Sequence, residues 1–200
     1  MSMLETRFLS GKMSIRSDYG TFPVFSQKQA RFYRNYSSFV LKALRRVTFQ
    51  KFLKWMLKKE QIEKQAVKAV HVKVLPLRNK QGKGIAGQCD PVRGRIQIYP
   101  KTSSFCKLFK REFGRKALLL YAGNRARAAL IHELLHLKYM ADEKTVRELA
   151  QEYFRILTHK KHAQNTQSPN IYVMIFNAKR SGGASYPRVF CDSIITPKLA

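Results

Sequence analysis

The sequence predicts an α+β fold: a small antiparallel or mixed sheet packed on one buried helix, with basic helices N-terminal to it. Three observations carry this expectation. Apolar residues recur at three- and four-residue steps over 28–64. They alternate over 66–77, and a hairpin pattern follows. A helical stretch from about Lys116 to Tyr139 then becomes apolar on every side at its end, as a buried helix does.

Taken in order, residues 1–27 mix Gly, Ser, Pro and isolated aromatics without a sustained period and read as a loosely ordered arm. In 28–64, Tyr36, Val40, Ala43 and Val47, then Phe52, Leu53, Met56 and Leu57, keep helical spacing while Lys and Arg fill the gaps. Three uses of that basic region stay open: an amphipathic helix pair with a solvated outer face, a nucleic-acid-binding element, or a membrane-surface element. Val70, Val72 and Val74 share one face of a strand, with His71 and Lys73 on the other, so His71 reads as an exposed strand residue. Asn79 to Gly84 is a Lys- and Gly-rich turn. Ile85–Cys89 and Arg95–Tyr99 form two strands joined by Asp90-Pro91-Val92-Arg93-Gly94, a turn with a Pro and a Gly to make it. Residues 101–116 read as a basic, aromatic connection, and the helix beyond it carries a candidate interruption at Gly123-Asn124, where Asn124 could cap a new start. Asp142 looks like the N-cap of a last helix over 143–157. Residues 171–176 are a short apolar strand candidate, and the final stretch is a tail. The organisation is an arm (1–27), a basic helical region (28–64), a core (65–160) and a C-terminal strand with tail (161–200).

The densest chemistry lies in Leu130 to Tyr139, which contains His132-Glu133-Leu134-Leu135-His136. Residues four apart on a helix share a face about 6 Å from each other, so both imidazoles can reach one metal ion. Glu133, turned about 100° round the helix, can flank that ion and take a proton from a water. Ala128 to Leu137 is otherwise apolar, and three ionisable groups in a buried helix need compensation. Two buried histidines hydrogen-bonded to backbone or carboxylate would be the plain alternative.

Two histidines leave zinc one protein ligand short. A straight continuation would put Glu143 about 10 Å of rise beyond His136, so the chain must turn near Met140-Ala141. On the returning helix Val146, Leu149, Ala150, Tyr153, Phe154 and Leu157 form an apolar arc. Glu143 falls inside it, and Glu148 and Glu152 fall opposite. Glu143 is therefore the preferred third ligand. Asp142 is the second choice, since an N-cap role already explains it, and Glu148 a distant third.

The chain carries 39 Lys+Arg against 12 Asp+Glu, a formal charge of +27, which attracts polyanions such as nucleic acid or anionic lipid. Five of the acids (Glu133, Asp142, Glu143, Glu148, Glu152) crowd into the motif region, which is consistent with a cation site there, although helix-surface pairing with Lys144, Arg147 and Arg155 explains some of them. Three cysteines, Cys89, Cys106 and Cys191, lack Cys-x-x-Cys spacing, so a disulfide framework is not expected and a reducing, cytoplasmic setting is. No apolar run is long enough for a transmembrane helix. The basic, serine-containing N-terminus has no signal core, and Glu5 and Asp18 weigh against an organellar import signal.

The motif resembles the active-site helix of the zincin metallopeptidases, and the hairpin before it is similar to the small sheet whose edge strand holds substrate in those enzymes. The likeness spans roughly residues 66–157 and is nearest to compact types, the SprT-like proteins and minimal gluzincins. It departs from the metzincin pattern, which has Gly and then His or Asp where this chain has Tyr139 and Asp142. Several compact zincins place a His where this chain has Asp142. The resemblance implies a zinc metallopeptidase: His132, His136 and an acid on Zn2+, Glu133 as general base, a protein or peptide as substrate. Tyr139, on the histidine face if the helix continues, becomes a candidate to hydrogen-bond the oxyanion, with a packed aromatic as the alternative. A basic nucleic-acid-binding protein with a structural or inactive zinc site is the competing function. A protease recruited to nucleoprotein would unite the two, and a non-peptidase metal hydrolase is a third class.

Overall fold

A computed structural model describes residues 8–17 and 26–162. It is α+β. In chain order the elements are β1 (Met13–Arg16), α1 (Gln27–Leu44), α2 (Val47–Lys59), β2 (Ala69–Lys73), β3 (Leu77–Arg78), β4 (Gly84–Ile85), β5 (Gly87–Asp90), β6 (Arg95–Ile98), α3 (Ser103–Tyr139) and α4 (Glu143–His162).

The main sheet has the order β1-β2-β6-β5, with β1, β2 and β6 parallel and β5 antiparallel on the edge. Register puts Met13 beside Val70 and Val70 beside Ile96, a row of side chains that are all buried. The alternation expected around Val70 and Val72 is present, and both valines are in the core. β5 and β6 are the expected hairpin. Its turn needs Gly94, whose φ is +59° and whose Cβ would stand 2.1 Å from the Ala66 carbonyl oxygen. β3 and β4 form a separate two-stranded ribbon over the Asn79–Gly84 turn.

Residues 8–17, expected to belong to a loose arm, instead supply an edge strand. Leu9 and Met13 are buried, and the Leu9 amide donates to Gln50 Oε1 at 2.7 Å while Gln50 Nε2 donates to the Leu44 carbonyl at 2.8 Å. Gln50 is thus a buried amide whose hydrogen bonds fasten this segment to α1 and α2. The basic region is two helices, α1 opened by a Ser26–Gln29 capping box and α2 by Arg46 without a side-chain cap. Their apolar faces, Val40 and Leu44 with Phe49, Leu53, Met56 and Leu57, join the core.

α3 begins earlier than its sequence pattern suggests and is interrupted at a different glycine. The connection 101–116 is helical from Ser103, capped by Thr102, whose Oγ1 accepts from the Phe105 amide at 3.3 Å. The break falls at Gly114 (φ 82°), and Gly123 stays helical, packed close to Ala43 and Phe39. From Tyr121 to His136 the helix is buried apart from the half-buried Asn124. Leu130, Ile131, Leu134 and Leu135 share the core with Ile96 and Ile98 of β6 and with Val146, Tyr153 and Phe154 of α4. Each such side chain contributes roughly 1.5–3 kcal/mol by leaving water, so this helix is among the most firmly held parts of the chain. The strand expected at 171–176 lies outside the described residues.

Candidate metal centre

α3 ends at Tyr139, and Met140 turns the chain with φ 49°, a left-handed conformation unusual for a residue with a side chain. This abrupt turn starts α4 at Glu143 rather than carrying the helix onward. The Asp142 side chain accepts from the Thr145 amide at 3.1 Å, which is the N-cap geometry expected of it. Val146, Ala150, Tyr153, Phe154 and Leu157 are buried, Leu149 is half-buried, and Glu148 and Glu152 are exposed. Glu143, at the head of the inward arc, faces back toward α3.

Three side chains converge there. His132 Nε2 and His136 Nε2 lie 3.1 Å apart, and Glu143 Oε2 lies 3.7 Å from the first and 3.4 Å from the second. They form a group of three residues able to hold a metal ion. The spacing passes a quantitative test. Ligands held tetrahedrally at about 2.0–2.1 Å from a zinc ion stand about 3.3 Å from one another. Two imidazole nitrogens and one carboxylate oxygen also suit zinc chemically.

The surroundings set the tautomer and ionisation of these three side chains. His136 Nδ1 lies 2.6 Å from the Met140 carbonyl, which can only accept, so Nδ1 carries a proton and Nε2 is the nitrogen that the neutral ring would offer to a metal. His132 is held below the ordinary histidine pKa, first by burial, with Glu143 opposing. His136 is raised: burial would lower it, but Glu143 and the Met140 carbonyl prevail. Glu143 is held well below the usual carboxylate range, because the two histidines and Arg147 outweigh its burial. Arg147 donates to Glu143 Oε1 at 2.9 Å and leaves Oε2 for the histidine side.

Glu133 is 1% exposed, and neither carboxylate oxygen has a hydrogen-bond partner. Burial pushes its carboxyl up to about 8, with His136 pulling down and Glu143 pushing up. Its space depends on Gly87 of β5, a residue the sequence reading passed over. A Cβ there would stand 2.7 Å from Glu133 Cγ and Oε1. A glycine inside a strand often marks such a close approach, and that was the available signal.

The other candidates are placed elsewhere. Tyr139 does not meet the histidines, since its hydroxyl donates to Glu60 Oε2 at 2.7 Å. His71 is half-buried, with Nδ1 3.1 Å from Ser14 Oγ across β1 and β2. Comparison of the chain with protein-family models, with curated proteins and with solved structures gave no match.

Proposed function

We propose that this protein is a zinc-dependent metallopeptidase of zincin type, with Glu133 as its general base. The observation that carries the proposal is the meeting of His132, His136 and Glu143 beside a buried carboxylate that has no other partner. A structural site has no use for that carboxylate, and burying it unpaired is costly. A zinc ion bound here supplies Lewis acidity, lowering the pKa of water and polarising a peptide carbonyl.

The chain's own residues do the rest. His132 and His136 offer ring nitrogens, and the Met140 carbonyl keeps the second ring in the required tautomer. Glu143 offers Oε2 while Arg147 fixes its other oxygen. Glu133 takes the proton from the attacking water and delivers it to the departing amide nitrogen. β5 is an edge strand beside Glu133, and an extended peptide adding to that edge would pass the base. Tyr139 has no part in this scheme because its hydroxyl is committed to Glu60.

Glu133→Gln tests the proposal. The variant should keep zinc and fold and lose peptide-bond cleavage by at least about 100-fold. The nucleic-acid reading is favoured by the +27 charge. It prevails if nucleic-acid affinity is measurable and neither form cuts any peptide.

A further inference from the structure

The proposed site uses the C-terminal half of α3, and the N-terminal half has a different character. Phe105 and Phe109 place their ring centroids 5.5 and 4.9 Å from that of Tyr121. Along an unbroken helix Phe105 and Tyr121 would be about 24 Å apart. The chain therefore folds back at Gly114, whose φ of 82° permits the reversal, into a helical hairpin with an aromatic seam.

The outer end of this hairpin is cationic and greasy at once. Lys107, Lys110, Arg111, Arg115 and Lys116 are exposed, and none of the five is held in an ion pair among the described residues. In the same stretch of chain Leu108, Leu119 and Leu120 are 48%, 36% and 42% exposed. Glu112 is the lone acid of residues 103–120. Fully solvated helix ends rarely leave three leucines in water beside five cations. Nucleic acid would engage the cations only, because the exposed large side chains here are aliphatic and the phenylalanines are half-buried in the seam. An anionic lipid surface engages both: leucines enter the acyl boundary, and lysines and arginines meet the headgroups. No helix among the described residues is long and apolar enough to cross a membrane, so the contact is peripheral.

We infer that the Gly114 hairpin is a docking surface for anionic phospholipid membranes. This stands apart from the metal site and survives its failure. The test is co-sedimentation of the full chain with phosphatidylcholine vesicles, with and without about one-third phosphatidylglycerol. The wild type should pellet with the anionic vesicles and not with phosphatidylcholine alone. Leu119→Ser combined with Leu120→Ser should weaken partitioning about ten-fold, and Arg115→Gln and Lys116→Gln about five-fold each. Arg115 and Lys116 are exposed, so their changes should leave the melting temperature unaltered. Leu119 and Leu120 are more than half covered, so the leucine variant is compared with wild type where circular dichroism shows both folded. The inference is overturned by lack of vesicle binding, or by binding indifferent to the leucine changes. It is equally overturned if the hairpin variants lose affinity only for duplex nucleic acid, or if they only dissociate a self-associated form.

Discussion

At the scale of single residues, the site depends on one missing methyl group as much as on its charged atoms. Gly87 leaves the volume that the Glu133 carboxylate occupies. Gly87→Ala should therefore displace that carboxylate while leaving His132, His136 and Glu143 in place. For the proposed peptidase the expected outcome is unchanged zinc content with cleavage reduced about 100-fold, since misplacement by about 1 Å is enough for such a loss. Overpacking should also destabilise the fold by about 1–3 kcal/mol, readable in chemical denaturation. Zinc loss on this substitution would mean that β5 supports the ligands rather than the base. At this scale the sequence was informative wherever spacing alone decides position. The four-residue step placed His132 and His136 on one face, and the wheel placed Glu143 inward. It was silent where a contact comes from a distant strand, as at Gly87. It left Tyr139 open between an oxyanion partner and a packed aromatic, because its hydroxyl meets a carboxylate seventy-nine residues away in the chain, which no local spacing records.

Between elements, the site is framed by a clamp that no local pattern announced. Glu60, 7% exposed at the end of α2, accepts from Tyr139 at 2.7 Å and Lys138 at 3.3 Å on α3 and from Tyr153 on α4. It thereby holds together the two helices that bring His136 and Glu143 to one point. Burial would raise the Glu60 carboxyl, but the hydroxyls of Tyr153 and Tyr139 and the Lys138 ammonium outweigh it and hold the pKa below the ordinary value. A depressed carboxylate contributes stability that is present above its unfolded pKa, about 4.5, and is lost as pH falls through the lower folded value. Glu60→Gln should cost about 1–3 kcal/mol at neutral pH. The gap between wild type and variant should close as the solution is acidified below that range. A gap that widens in acid would contradict the clamp. Helix boundaries showed the same limit of sequence reading. Gly123, a candidate interruption, stays helical with Ala43 and Phe39 close by, whereas Gly114 has open space around it and is the reversal. Either glycine fits a helical pattern, and tertiary packing decides between them.

Across the whole molecule, α+β class, hairpin and buried motif helix were legible because periodicity records burial, and burial is what the fold imposes. The parallel pairing of β1 with β2 was not. Four residues, Met13–Arg16, gain their strand character from a partner more than fifty positions away, and nothing local distinguishes them from a loop. The charge of +27 sets no fold, but the hairpin at Gly114 gathers part of it beside exposed leucines, away from the histidine pair in sequence and in character. The most direct test of the central claim is zinc content of the purified chain, measured alongside His136→Ala and Glu143→Ala. About one zinc per wild-type chain is expected, with most of it lost in both variants. Wild-type protein that takes up no zinc, or a His136→Ala chain that keeps its full complement, would contradict the claim.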